Sequence, residues 1–240
     1  MSALDDLYDA FADVPHPVAL DGCPCCVAPG EGRPLLARPP RVLTAEDLAR
    51  YAAKAMSTWG GPEEFRYFAP RLMELAAEDA FGWPDVEVVF RKLGQAQWQD
   101  WPQRDAVVAF FHAFWTRTLA SHPARPSAAT ALCALAGAEP DMSHYLDEWG
   151  ALASEPALRH LHAFVSEELV WRRGRPWLSN AFWDVSSAAY RQVMEWLTGG
   201  PAYAAVSAAF GRTEDEPALR LLAAIEEQLR PTGDTVTRPD

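Results

Sequence analysis

Residues 155–164 read Glu155-Pro156-Ala157-Leu158-Arg159-His160-Leu161-His162-Ala163-Phe164, and residues 216–225 read Glu216-Pro217-Ala218-Leu219-Arg220-Leu221-Leu222-Ala223-Ala224-Ile225. Each stretch has its proline where a helix tolerates one, in the first turn, whose N–H groups lack intrahelical partners. Leu158, Leu161, Val165 and Leu169 then return at the three-to-four-residue interval that lines one helix face. Glu-Pro-Ala-Leu-Arg recurs 61 positions on, and Leu161 and Ala163 are matched by Leu222 and Ala224. An interval of that size accommodates two helices with their turns, the unit of an αα-solenoid. Ala- and Leu-rich helices that start on proline also coincide without any repeat.

The same signals extend along the chain. Leu4, Leu7, Tyr8, Phe11 and Val14 form one stripe, Val107, Phe110, Phe111, Phe114 and Trp115 another, and Tyr190, Val193, Met194 and Leu197 a third. Isoleucine occurs once, at Ile225, and no run alternates with the period of a strand. Several of the 20 prolines, among them Pro62, Pro102 and Pro201, stand at the openings of such stripes. Pro70 lies inside one and predicts a kink or break there. The fold class expected is all-α: a compact array of antiparallel helical pairs, in its extended form a HEAT-like αα-solenoid. Helices are predicted near 2–13, 45–57, 62–69, 71–81, 85–97, 103–121, 128–137, 141–152, 155–173, 180–198, 202–210 and 216–229. Thr44 and Asp47 have the spacing of a capping pair at the second of these. A single helical domain over 1–230 is expected, with an irregular Cys/Pro-rich loop at 15–41 and a disordered tail at 231–240.

Composition narrows the function classes. The 240 residues are 49% hydrophobic and carry 21 Lys+Arg against 33 Asp+Glu, a formal charge of −12. That apolar fraction is too high for a disordered chain, and the acidic balance argues against a general nucleic-acid or anionic-membrane binder. No stretch approaches the about 18 apolar residues of a membrane-spanning helix, and the acidic start MSALDDLYDAF lacks signal-peptide character. A cytoplasmic location is expected, and a protein partner, basic by complementarity. There is no Gly-rich phosphate loop, His-Glu-x-x-His, Gly-x-Ser-x-Gly or dinucleotide fingerprint.

Cys23-Pro24-Cys25-Cys26 is the one cluster with evident chemical potential. Thiolates are soft ligands, and a Cys-x-Cys turn can present two sulfurs to one ion. His16 is a candidate nitrogen ligand, and structural zinc is the metal expected. Cys23 and Cys26 also have redox Cys-x-x-Cys spacing, and small thiols can simply pack a loop. Cys133 stands alone on a predicted helix.

The cluster is followed by YAAKAMSTWG at 51–60, FRYFAPRLMEL at 65–75 and QAQWQDWP at 95–102. This succession, over roughly residues 20–115, resembles an uncharacterised family of bacterial helical proteins. In that family the Cys-rich start precedes a Thr-Trp-Gly turn and a Phe-x-x-Phe-x-Pro-Arg helix. The resemblance implies that Cys23, Cys25 and Cys26 belong to a pattern, and it lends no catalytic residue.

Four arginines complete the candidates. Arg71, beside Glu74 and Glu78, fits an ion-paired helix face or an anion ligand. Arg172, Arg173 and Arg175 lie between Trp171 and Trp177, the one concentrated basic patch. Such arginines can stack on a base or fork onto a phosphate. The predicted helix over 155–173 instead makes them cations at a C-terminus capped by Gly174. Asp141, His144, Asp147 and Glu148 read as an acidic helix start. The function expected is a non-enzymatic binding or scaffold protein, for instance one neutralising a basic toxin, with a structural thiolate metal site. The alternative is a metal- or thiol-dependent enzyme centred on Cys23–Cys26.

Overall fold

A computed structural model describes residues 2–152 and 154–230; the tail expected at 231–240 lies outside them. The described residues are mostly helical, as expected, and no helix is long and apolar enough to cross a membrane. They gather into two compact units. One runs to Trp115 and includes Thr130–Glu139, and the other comprises Thr116–Ala129 and the residues from Pro140 on.

The first unit contains α1 (Ala3–Ala10), the one-turn α2 (Arg33–Leu36), α3 (Ala45–Lys54), α4 (Pro62–Ala77) and α5 (Val86–Gln95). Helices α6 (Arg104–Ala120) and α7 (Ala128–Ala138) contribute most of their length to it. Thr44 caps α3 as its spacing predicts: its hydroxyl accepts from Asp47 N at 3.1 Å, and Asp47 Oδ2 accepts from Thr44 N at 2.9 Å. The break expected at Pro70 does not occur. α4 runs through it unbroken and is 16 residues long. Proline forfeits one backbone hydrogen bond, but Phe65, Phe68, Leu72, Met73 and Leu75 around it are all buried, and their packing holds the helix together. α4 packs against α1, α3 and α5. Gly94 on α5 allows close approach to α7, since a Cβ there would lie 2.7 Å from Gly137 O.

The second unit contains α8 (Ser143–Gly150), α9 (Glu155–Ala163), a π-helical turn (Phe164–Glu168), strands β1 (Leu169–Arg172) and β2 (Arg175–Leu178), α10 (Ala188–Thr198), α11 (Pro201–Phe210) and α12 (Glu216–Leu229). α10, α11 and α12 pack in succession, and α12 also packs on α9. The two Glu-Pro-Ala-Leu-Arg helices therefore touch each other. Their starts are alike in detail: Ser154 and Asp215 cap Ala157 N and Ala218 N, and Arg159–Glu155 and Arg220–Glu216 pair across one turn. What separates them is not a simple helix pair but a π turn, a hairpin and two helices, so the echo does not by itself establish a HEAT-like repeat. Trp149 lies at the heart of this unit, stacked on Trp196 with centroids 5.7 Å apart and donating to Ala157 O at 3.1 Å.

The predicted helix over 155–173 is cut short. After the π turn the chain forms an antiparallel hairpin, pairing Leu169 with Leu178, Val170 with Trp177, Trp171 with Pro176 and Arg172 with Arg175. Arg173 and Gly174 make the turn with φ of 52° and 73°, the positive values of primed hairpin turns. Glu168 closes the open end, accepting from Ser179 Oγ at 2.6 Å and Asn180 N at 3.1 Å. Val170, Trp171 and Trp177 favour strands, but four-residue strands are too short to show alternation.

Candidate metal centre

The segment expected to be irregular, 15–41, holds the thiols, and short local contacts shape it. Cys23 O accepts from Cys26 N at 2.8 Å and Val27 N at 2.9 Å, closing a tight turn over Pro24 and Cys25. That turn is docked on the Thr58-Trp59-Gly60 corner after α3. Cys23 N donates to Thr58 O at 2.8 Å, Gly60 N donates to Asp21 O at 2.7 Å, and Trp59 Nε1 donates to Leu20 O at 3.3 Å. Gly22 has no room for a side chain, because a Cβ would lie 2.7 Å from Val27 Cβ. Gly60, at φ 66°, lies in the left-handed region, which glycine enters at the least cost.

From the other side, α3 reaches up to the turn. Arg50 and Lys54, one helical turn apart, both donate to Cys26 O, at 2.9 and 2.7 Å. Arg50 also pairs with Glu31 at 2.8 Å, and Glu31 accepts from Ala28 N at 2.8 Å. Beneath lie Tyr51, Trp59 and Phe68: the Tyr51 ring meets Trp59 edge-on at 5.6 Å and Phe68 at 4.9 Å. The three motifs at 23–26, 57–60 and 65–75 are therefore one structure, with the Cys turn docked on the Trp corner and the corner set over α4.

The thiols converge. Cys23 Sγ is 2.9 Å from Cys25 Sγ, Cys25 Sγ is 3.4 Å from Cys26 Sγ, and all three fall within 4.8 Å of one another. Cys25 is exposed, and Cys23 and Cys26 are half-exposed. The hydrogen bond from Cys25 lowers the Cys23 thiol below its usual range, and the same bond raises Cys25 to about 11. Among the described residues this is the only group of three or more His, Cys, Asp or Glu placed to share an ion.

His16 does not join it. Its Nε2 lies 2.9 Å from Leu36 O and its ring meets Tyr67 edge-on, so a carbonyl 20 residues on and an aromatic contact hold the ring. Cys133 is buried on α7. Sequence reasoning missed Arg50, Lys54 and Glu31, although the four-residue spacing of the two cations on α3 was there to be read.

The arginine candidates separate. Arg71 donates to Leu43 O at 2.7 Å and to Glu74 at 2.6 Å, and Glu74 also accepts from the Tyr8 hydroxyl. Its guanidinium thus ties α4 to α1 and to the chain before α3. Arg172, Arg173 and Arg175 sit on the exposed hairpin rather than at a helix end. Arg172 lies over the Trp177 ring at 5.9 Å, and Trp171 is half exposed. Trp98, Trp101 and Trp115 are buried, and Trp98 donates to Ala138 O. Asp141 accepts from Ser143, and Glu148 accepts from Thr116.

No protein family, curated protein or solved structure matches the chain.

Proposed function

We propose that the chain is a binding or scaffold protein rather than an enzyme, whose N-terminal segment is clasped by a metal ion on Cys23, Cys25 and Cys26. The observation that carries the metal reading is the trio of Sγ atoms within 4.8 Å on a turn held by Thr58, Arg50 and Lys54. Thiolates in such a group take a soft ion, and the free energy of binding it adds to the stability of the fold around it. The formal charge of −12 supports a basic protein partner, such as a toxin to be neutralised, because opposite fields speed association and screen with salt.

The test is the full chain purified under reducing conditions without chelators. Stoichiometric metal is expected, with Cys23→Ser and Cys26→Ser losing it, melting at lower temperature and keeping the helical signal. No metal, and unfolding unchanged by added zinc or copper, overturns the metal reading. The partner reading predicts association with a basic protein encoded beside it, weakened at least tenfold by raising the salt. An activity of the isolated chain that is lost on one substitution overturns it.

A second reading, a thiol-dependent enzyme, is favoured by Cys23, a half-exposed thiol drawn toward its thiolate by Cys25. It predicts that iodoacetamide alkylates Cys23 faster than Cys25 or Cys26 at neutral pH. Equal rates at the three positions count against it.

A further inference from the structure

The site offers an ion three protein ligands, and the described His, Cys, Asp and Glu supply no fourth within reach. Structural zinc is held by four protein ligands in a closed tetrahedron. His16, the one nitrogen expected to complete it, is bonded to Leu36 O instead. Of the carboxylates flanking the turn, Asp21 does not join the group of candidate ligands, and Glu31 already accepts from Ala28 N and pairs with Arg50.

Resting on the metal reading above, we propose that Cys23, Cys25 and Cys26 form a three-coordinate thiolate site for a soft monovalent ion of the copper(I) class, and not a closed zinc site. A metal–sulfur bond of about 2.3 Å in a flat triangle sets the sulfurs about 4 Å apart. The observed separations of 2.9 and 3.4 Å reach that by rotating the side chains outward, while the backbone stays fixed at Cys23 N and Cys26 O. Binding displaces the three thiol protons, so three thiolates and one monovalent cation leave a net charge of −2. Lys54 and Arg50, both bonded to Cys26 O, put two positive charges beside it, one of them shared with Glu31. Cys25 leaves one side open to solvent, so a thiol of another molecule can approach the ion and exchange for a ligand.

The experiment titrates the reduced full chain anaerobically with copper(I) against bicinchoninate, and in parallel with zinc(II) against a chromogenic chelator. X-ray absorption then counts the sulfurs around each ion. One equivalent of copper(I) in a shell of three sulfurs is expected, with each of Cys23→Ser, Cys25→Ser and Cys26→Ser weakening it at least a hundredfold. His16→Ala and Cys133→Ala leave it within twofold. A two-sulfur shell that survives Cys26→Ser overturns the proposal. So does one equivalent of zinc held by three sulfurs and a nitrogen and lost in His16→Ala, although that result leaves the metal reading standing. Failure to hold either ion removes both.

Discussion

Cys23 N donates to Thr58 O at 2.8 Å, so the first cysteine of the cluster is bonded to the corner that follows α3, 35 residues along the chain. The bond joins two sequence motifs whose relationship no local pattern reveals. It also makes Gly22 a tight position, since a Cβ there would crowd Val27 and lie 3.0 Å from Thr58 O, the same carbonyl. Gly22→Ala is expected to destabilise the first unit by about 1–3 kcal/mol through this overpacking. It should loosen the Cys turn as well. Urea unfolding of wild type and variant checks the first effect, and solvent exchange of the Cys23 amide the second. An unchanged midpoint contradicts the packing described.

The Tyr8–Glu74–Arg71 group predicts a loss of a different kind. Arg71 and Glu74 have side-chain exposures of 17% and 15%, well shielded from water. Arg71→Ala leaves Glu74 with a hydroxyl as its partner and orphans Leu43 O, and about 2 kcal/mol of stability should go with it. Glu74→Gln, which keeps the shape, should cost less than Glu74→Ala. A double-mutant cycle between positions 8 and 74 measures the coupling between the helices, and a value near zero sinks the idea that Glu74 holds α4 to α1.

His160 makes the second unit sensitive to acid. It is buried and bonded to Ser121 O, and burial, with His122 at 4.7 Å adding repulsion, lowers its pKa below the ordinary 6.5. In the pH range just below 6.5 the unfolded chain therefore binds more protons than the folded one at this position. Stability should fall as pH drops through that range, by at most about 1.4 kcal/mol per pH unit for one such group. Urea midpoints at pH 7.5, 6.0 and 5.0 test this. His160→Gln should flatten the slope, and a variant with the wild-type slope assigns it elsewhere.

The hairpin turn predicts opposite effects at neighbouring positions. Gly174, at φ 73°, has open space around it, so Gly174→Ala costs only the backbone strain, about 1 kcal/mol. Arg173→Asn should stabilise the hairpin by a few tenths of a kcal/mol, because asparagine accepts the left-handed conformation that arginine holds at φ 52°. Hydrogen exchange at the β1 and β2 amides reads both. If Gly174→Ala slowed exchange and raised helix content, residues 169–178 would be helical.

The two echoed helix starts should fail alike. Ser154→Ala and Asp215→Ala each remove the side-chain acceptor of one backbone N–H, at Ala157 and Ala218. About 1 kcal/mol is expected for each, seen as a lower melting temperature. A loss confined to one position shows that only that cap matters.

Helix starts were the most legible part of this chain. The proline and capping signals at 44–47, 155–159 and 216–220 act through neighbours a turn away, so sequence distance and spatial distance agree. The three clustered thiols were legible for the same reason: adjacent residues in a turn stay together in any fold. Legibility ended where a partner came from far along the chain. Nothing in the spacing ties Cys26 O to Arg50 and Lys54, or His16 to Leu36 O, and these bonds decide which side chains stand at the Cys turn and which do not. The helix break allowed for at Pro70 does not occur because a local rule counts the lost hydrogen bond but not the buried Phe65, Phe68 and Leu72 that outweigh it. The helix predicted over 155–173 ends early for a related reason. The leucine spacing of α9 runs on to Leu169, yet the Arg173–Gly174 turn and the pairing of Leu169 with Leu178 bend the chain back on itself. By itself, then, the amino-acid sequence determined the helical class, the helix openings and the presence of the thiols, all set by interactions within a turn or two. Only the tertiary structure decided what the thiols rest on, which cations face them and where the arginines of the hairpin point, because those depend on which distant surfaces exclude water together.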